Sequence, residues 1–171
     1  MAHFTMHSIE HEMKHRKGSD FCHNGGTQAI SATTWTKLLN DTTGSDTDET
    51  RTPLGSPTLY DRTNNRLFLD PYTVGTVIGI RLDSTITTVL AAQVDIRLFW
   101  QGKDIAGDNT TSFYLTKTLG LTGAGVLYCI LESFEIIIDS EDYRRGYIEI
   151  QLCIQGTTGT FQMNGVKIHK K

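Results

Sequence analysis

The sequence predicts an all-β protein, a two-sheet antiparallel jelly-roll sandwich of about eight strands with an extended N-terminal arm. Three observations predict it. Residues 60–86 read as a turn, a short strand, a Pro/Gly corner and then a long strand of alternating apolar and polar residues. Further short strands separated by turn residues follow this stretch, without a convincing helix anywhere after residue 26. The composition, rich in Gly and Thr but with only 3 prolines among 171 residues, suits a turn-rich β protein better than a helical one.

The chain is long enough for one core plus an extension, since domains commonly run roughly 100 to 150 residues. Residues 1–26 form the expected arm. They carry His3, His7, His11 and His15, three of the four methionines and mixed charge, and end on a Gly25–Gly26 hinge. Residues 27–171 form the expected sandwich.

Residues 28–39 read as a first strand, with Ile30, Ala32, Thr34, Thr36 and Leu38 on one face. The polar stretch 40–57, rich in Gly, Pro, Asp and Glu, is a surface loop. Its acidic cluster lacks the EF-hand order of ligands and glycine that would point to a calcium site. Asn64 and Asn65 make the turn before a short strand at 66–69, because Asn tolerates the left-handed backbone a tight turn needs. In 77–86, Ile78, Ile80, Leu82 and Ile86 face inward while Arg81, Asp83 and Thr85 face out. In 93–101, Val94, Ile96, Leu98 and Trp100 face inward, Asp95, Arg97 and Gln101 face out, and Phe99 interrupts the polar side.

Gly102 and Lys103 are expected to turn the chain into a strand at 110–118, and Gly120, Gly123 and Gly125 mark the next connection. The segment 126–138 differs from the others. Val126, Tyr128, Ile130, Phe134, Ile136 and Ile138 share one face, yet Leu127, Cys129, Leu131 and Ile137 occupy the other, so both sides ask for cover. In 147–154, Ile148, Ile150, Leu152 and Ile154 face inward. In 160–168 the inward set shifts from Phe161 and Met163 to Val166 and Ile168, a slip at Asn164–Gly165 that a β-bulge produces.

Several function classes lose support at this point. A formal charge of −3 offers no general attraction for phosphate, which argues against nucleic acid. No apolar segment reaches 18 residues, so no helical membrane span is expected, and the N-terminus lacks the apolar core of a signal peptide. Cys22, Cys129 and Cys153 cannot all pair within one chain and read as reduced thiols. There is no GxSxG, HExxH or P-loop motif. Asp and Glu sit singly on strand faces as solvated charges, with Asp139, Glu141 and Asp142 beside Arg144 and Arg145 as a loop salt-bridge group. No enzymatic activity and no cofactor are expected. The histidine row at every fourth residue can place imidazoles one turn apart on a helix, a geometry able to hold a transition metal. The plainer reading is an arm that binds a partner through Phe4, His7, Ile9, His11 and Phe21.

The residues Tyr60, Asn64, Asn65, Leu67, Phe68, Pro71 and Gly75, followed by the alternating strand, resemble the core motif of the C1q/TNF-like jelly rolls. Gly159, Thr160, Phe161, Asn164 and Gly165 are similar to their closing strand. Within that group the runs NNRLF, VGTVIGIRLD and QVDIRLFW look most like the small virion proteins of tailed bacteriophages, over residues 27–171. Thr76 stands where the cytokine-type families carry an aromatic, which weighs against an extracellular ligand.

The resemblance implies a homotrimer. Phe99, Leu127, Leu131 and Tyr147 are the expected interface residues, because exposed apolar patches of more than a few hundred Å² are rare on monomers. A fold of loop 40–57 over them is the alternative cover. The implied role is a capsid decoration, or cement, protein of the virion, assembled in the host cytoplasm, whose arm staples neighbouring major capsid subunits. The alternative is a tail-fibre or receptor-binding knob that recognises a cell-surface glycan. The absence of Trp, Tyr and Phe from loop 40–57 weighs against it, because sugar rings stack on such side chains.

Overall fold

A computed structural model describes residues 18–22, 27–39, 60–61, 64–70, 72–103, 109–125 and 127–170. The strands are β1 (Gly18–Cys22), β2 (Gln28–Ile30), β3 (Thr36–Lys37), β4 (Tyr60–Asp61), β5 (Arg66–Phe68), β6 (Val77–Thr88), β7 (Ala92–Lys103), β8 (Asn109–Leu121), β9 (Leu127–Ile137), β10 (Tyr147–Ile154) and β11 (Gly159–Lys170). They form two antiparallel sheets. The first has the order β1-β11-β6-β9, with β2 also on β11; the second has the order β4-β5-β10-β7-β8, with β3 on β10. The protein is a jelly-roll sandwich.

The period-two pattern of the long strands sets the core. Ile78, Ile80, Leu82 and Ile86 of β6 meet Val94, Ile96, Leu98 and Trp100 of β7 and Ile148, Ile150, Leu152 and Ile154 of β10 in one buried cluster. The slip expected near Asn164 is present. The β11 register against β6 shifts between Met163 and Gly165, so Phe161, Met163, Val166 and Ile168 are all buried. Asn164 Nδ2 ties the bulge to its neighbour by donating to Thr85 Oγ1 at 3.0 Å. The turn at Asn64–Asn65 is present too, with Asn65 at φ 52.

Three elements differ from the sequence reading. The strand at 28–39 is two short strands on different sheets, β2 on β11 and β3 on β10. The chain crosses between them at Thr33, whose φ is 54, whose N–H donates to Ile154 O at 2.7 Å and whose Oγ1 accepts from Gly156 N at 3.2 Å. That crossing leaves Ala32 and Thr34 exposed rather than inward. Gly102 and Lys103 continue β7 instead of turning it, because Lys103 still pairs with Asn109. One helical turn, α1 (Glu141–Arg144), follows β9, capped by Ser140 Oγ, which accepts from Tyr143 N at 3.2 Å.

At the α1 end of the sandwich Trp100 fills the space between the sheet and α1. Its indole N–H donates to Tyr143 O at 3.0 Å, and a Cβ at either Gly102 or Gly146 would overlap its ring. The edge strands β8 and β9 are joined by Lys117 Nζ and Glu132 Oε2 at 2.6 Å. A charge at such a position makes an edge a poor template for another strand.

Candidate interaction surface

The outer face of the second sheet carries a chain of polar side chains built from odd-numbered positions of β7 and β10. Register alone brings them together, since Asp95 lies opposite Cys153, Arg97 opposite Gln151 and Phe99 opposite Glu149. At one end the Asp95 carboxylate accepts from Thr118 Oγ1 at 2.7 Å, Gln155 Nε2 at 2.8 Å and Gln93 Nε2 at 3.0 Å. In the middle the Arg97 guanidinium donates twice to Gln151 Oε1, at 2.7 and 2.9 Å. Gln151 Nε2 passes the chain on to Glu149 Oε2 at 3.1 Å. Glu149 also accepts from Gln101 Nε2 at 3.2 Å and from Lys37 Nζ at 3.1 Å, and Tyr147 Oη donates to Gln101 Oε1 at 2.7 Å.

Two cation–aromatic stacks roof this network. Arg97 lies over Trp35 at 3.9 Å and Phe99 at 4.7 Å, and Arg66 lies over Tyr147 at 4.4 Å and Phe68 at 4.9 Å. Asp95, Glu149 and Gln151 are buried although they face away from the core. Sequence reasoning expected solvated charges here. The correction has a physical cause, because the side-chain hydrogen bonds replace water. Burial by itself raises the Asp95 carboxyl, and the hydrogen bonds from Thr118, Gln155 and Gln93 outweigh it, leaving the group below the usual 3.8. Burial, with Asp95 beside it, pushes the Cys153 thiol up despite the opposing pull of Arg97.

The four expected interface residues do not form one patch. Phe99 and Tyr147 are half-buried parts of the second sheet's stacks, whereas Leu127 and Leu131 belong to β9 in the first sheet, opposite Thr87 and Asp83. Of the expected arm contacts, Phe4, His7, Ile9 and His11 lie outside the described residues, as do His3, His15, the Gly25–Gly26 hinge and loop 40–57. Phe21 is in β1, where the register sets it opposite Val166, a core residue. Residues 18–22 of the expected arm are thus an edge strand of the first sheet. Asp139 lies just before the Ser140 cap of α1, and Arg144, the last residue of α1, pairs with Glu141 at 2.8 Å and Asp70 at 2.9 Å. Among the described residues no three His, Cys, Asp or Glu side chains come together as a metal site, and no helix is long and apolar enough to cross a membrane.

The sequence reading missed Trp35, Arg97, Glu149 and Gln151 as a unit. A signal existed in the polar alternation of 93–101 and 147–155, but only pairing aligns the two strands.

Fold comparison places this arrangement among solved structures. The Eiger TNF of S. frugiperda superposes with a TM-score of 0.58 at 9% identity, over 91% of this chain and 92% of that one. The chain has a TNF-like jelly-roll fold. The infectious bursal disease virus Gt strain structure matches with a TM-score of 0.31 at 12% identity, over 87% of this chain but 33% of that one. No family model and no curated protein matches the sequence.

Proposed function

We propose that the chain is a structural virion protein, a decoration or cement protein that self-associates as a trimer and uses its N-terminal arm to staple neighbouring capsid subunits. The observation that carries this reading is the root of the arm. β1 is paired along β11 from Gly18↔His169 to Cys22↔Gly165, so the chain preceding residue 18 is joined to a paired sheet edge. A short segment held this way binds its target at high effective concentration, and three copies in a trimer multiply weak contacts. No catalytic step belongs to this role. Trimer contact is assigned to β9 around Leu127 and Leu131, which the register sets opposite Thr87 and Asp83.

The test removes residues 1–17 and leaves β1 in place. Sedimentation velocity is expected to give an unchanged trimer, while co-pelleting with virion shells falls at least tenfold. Full-strength shell binding by the truncated protein would overturn the stapling role, and a monomer at micromolar concentration would overturn the trimer.

A further inference from the structure

The two ends of the sandwich differ in charge. At one end, residues 31–34, 89–91, 122–125 and 155–158 lie in the connections from β2 to β3, β6 to β7, β8 to β9 and β10 to β11, each of which passes between the sheets. None of these residues is charged or aromatic, although 20% of the chain is charged. The most prominent side chains are aliphatic, with Val89 60% and Leu90 58% exposed, and Ala32, Ala91 and Ala124 are exposed at the same end. The α1 end contrasts with it. Val74 and Ile137 are exposed at a corner there, but so are Asp70, Asp139, Glu141 and Arg145.

Backbone bonds tie the uncharged connections into one surface. Gly125 N donates to Thr88 O at 2.7 Å, and Val89 N donates to Thr158 O at 3.1 Å. Gly156 N donates to Thr33 Oγ1 at 3.2 Å, so each connection is bonded to the next or to the strand that leads into it. Segments already held in this way lose little freedom when a partner arrives.

We infer that this end is the surface the protein sets on the shell, and that it meets an uncharged, aliphatic patch of a capsid subunit, with Val89 and Leu90 as the contacting side chains. The inference rests on the shell-binding role and adds which end is seated and what it meets. Charge is depleted from the centre of protein interfaces, and a charged patch facing this end would be buried without a counter-charge. Two other occupants fit less well. A bilayer surface is gripped by Trp, Tyr, Lys and Arg at headgroup level, and these residues include none of them. A second copy meets a limit of area. Four strands by two sheets give an end on the order of 20 by 20 Å, so two ends would bury about 800 Å² in all. A stable pair needs roughly 1,200 Å² or more. Repetition removes that limit on a shell, because a threefold axis sets three equivalent ends at one level.

The test uses the full-length chain and carries Leu90→Asp and Leu90→Lys as a pair, with Val89→Asp as the second site. Co-pelleting with virion shells is expected to fall at least tenfold for both signs of charge, with the melting temperature and the sedimentation coefficient unchanged. Arg145→Glu, at the α1 end, is expected to pellet like the parent. Parent-level pelleting by both Leu90 variants would overturn the inference and leave the shell-binding role standing. A gain for one sign of charge would overturn the uncharged partner. Parent dimers that Leu90→Asp abolishes would make a second copy the occupant, and flotation of the parent with phosphatidylcholine vesicles would make it a bilayer, either of which overturns the inference. A parent that does not pellet at all would overturn the shell-binding role and this inference with it.

Discussion

The outer faces of the two sheets are built on the same alternation and end in different states. On the second sheet, Asp95, Glu149 and Gln151 point away from the core yet are buried, because Gln93, Gln101, Lys37, Arg97, Thr118 and Gln155 satisfy them. On the first sheet, Arg81 and Asp83 of β6 remain exposed, and Ile137 of β9 is left bare at the corner. A strand's polar face therefore does not decide its own hydration. What decides it is which side chains the register sets within hydrogen-bond reach.

The largest test of this contrast is Glu149→Ala, which leaves Lys37, Gln101 and Gln151 without their shared acceptor. Urea unfolding is expected to show a loss of about 2 kcal/mol, because Gln151, Gln101 and the half-exposed Lys37 lose the acceptor they share. Arg81→Ala on the exposed face is expected to stay within about 0.5 kcal/mol. Equal losses at the two sites would erase the distinction.

Arg97→Lys sharpens it further. Lysine keeps the charge but cannot reproduce both bonds to Gln151 or the flat stack between Trp35 and Phe99. A loss of about 1 to 2 kcal/mol is expected, with a change in Trp35 fluorescence. Unaltered stability would mean the stack is ornamental.

The smallest expected effect is on pH dependence. Asp95 is held below its ordinary 3.8 in the folded state. Its stabilisation is therefore in place above that value and is lost as the pH falls through the lower folded-state value. Asp95→Asn is expected to flatten this part of the acid-unfolding curve, followed by tryptophan fluorescence, while lowering stability at neutral pH. An acid limb as steep in the variant as in the parent would show that Asp95 does not supply it.

Much of the fold was legible from local pattern. The apolar periods of 77–86, 93–101 and 147–154, the Asn64–Asn65 turn and the slip at Asn164–Gly165 depend on neighbours in sequence, and each is present. The strand at 28–39 misled because a period of two cannot reveal that the chain changes sheets halfway, at a threonine in a left-handed conformation. The polar network was illegible for a related reason. Arg97 and Gln151 are 54 residues apart, and nothing in either strand names the other.

By itself the sequence determined which side chains needed burial and where the chain had to turn, since both follow from side-chain chemistry and backbone sterics within a few residues. Tertiary structure alone decided which polar positions would lose their water, which apolar ones would keep it, and that residues 18–22 would be sheet. Those outcomes depend on register between distant strands, and a register is chosen by the summed fit of two whole faces rather than by any one residue.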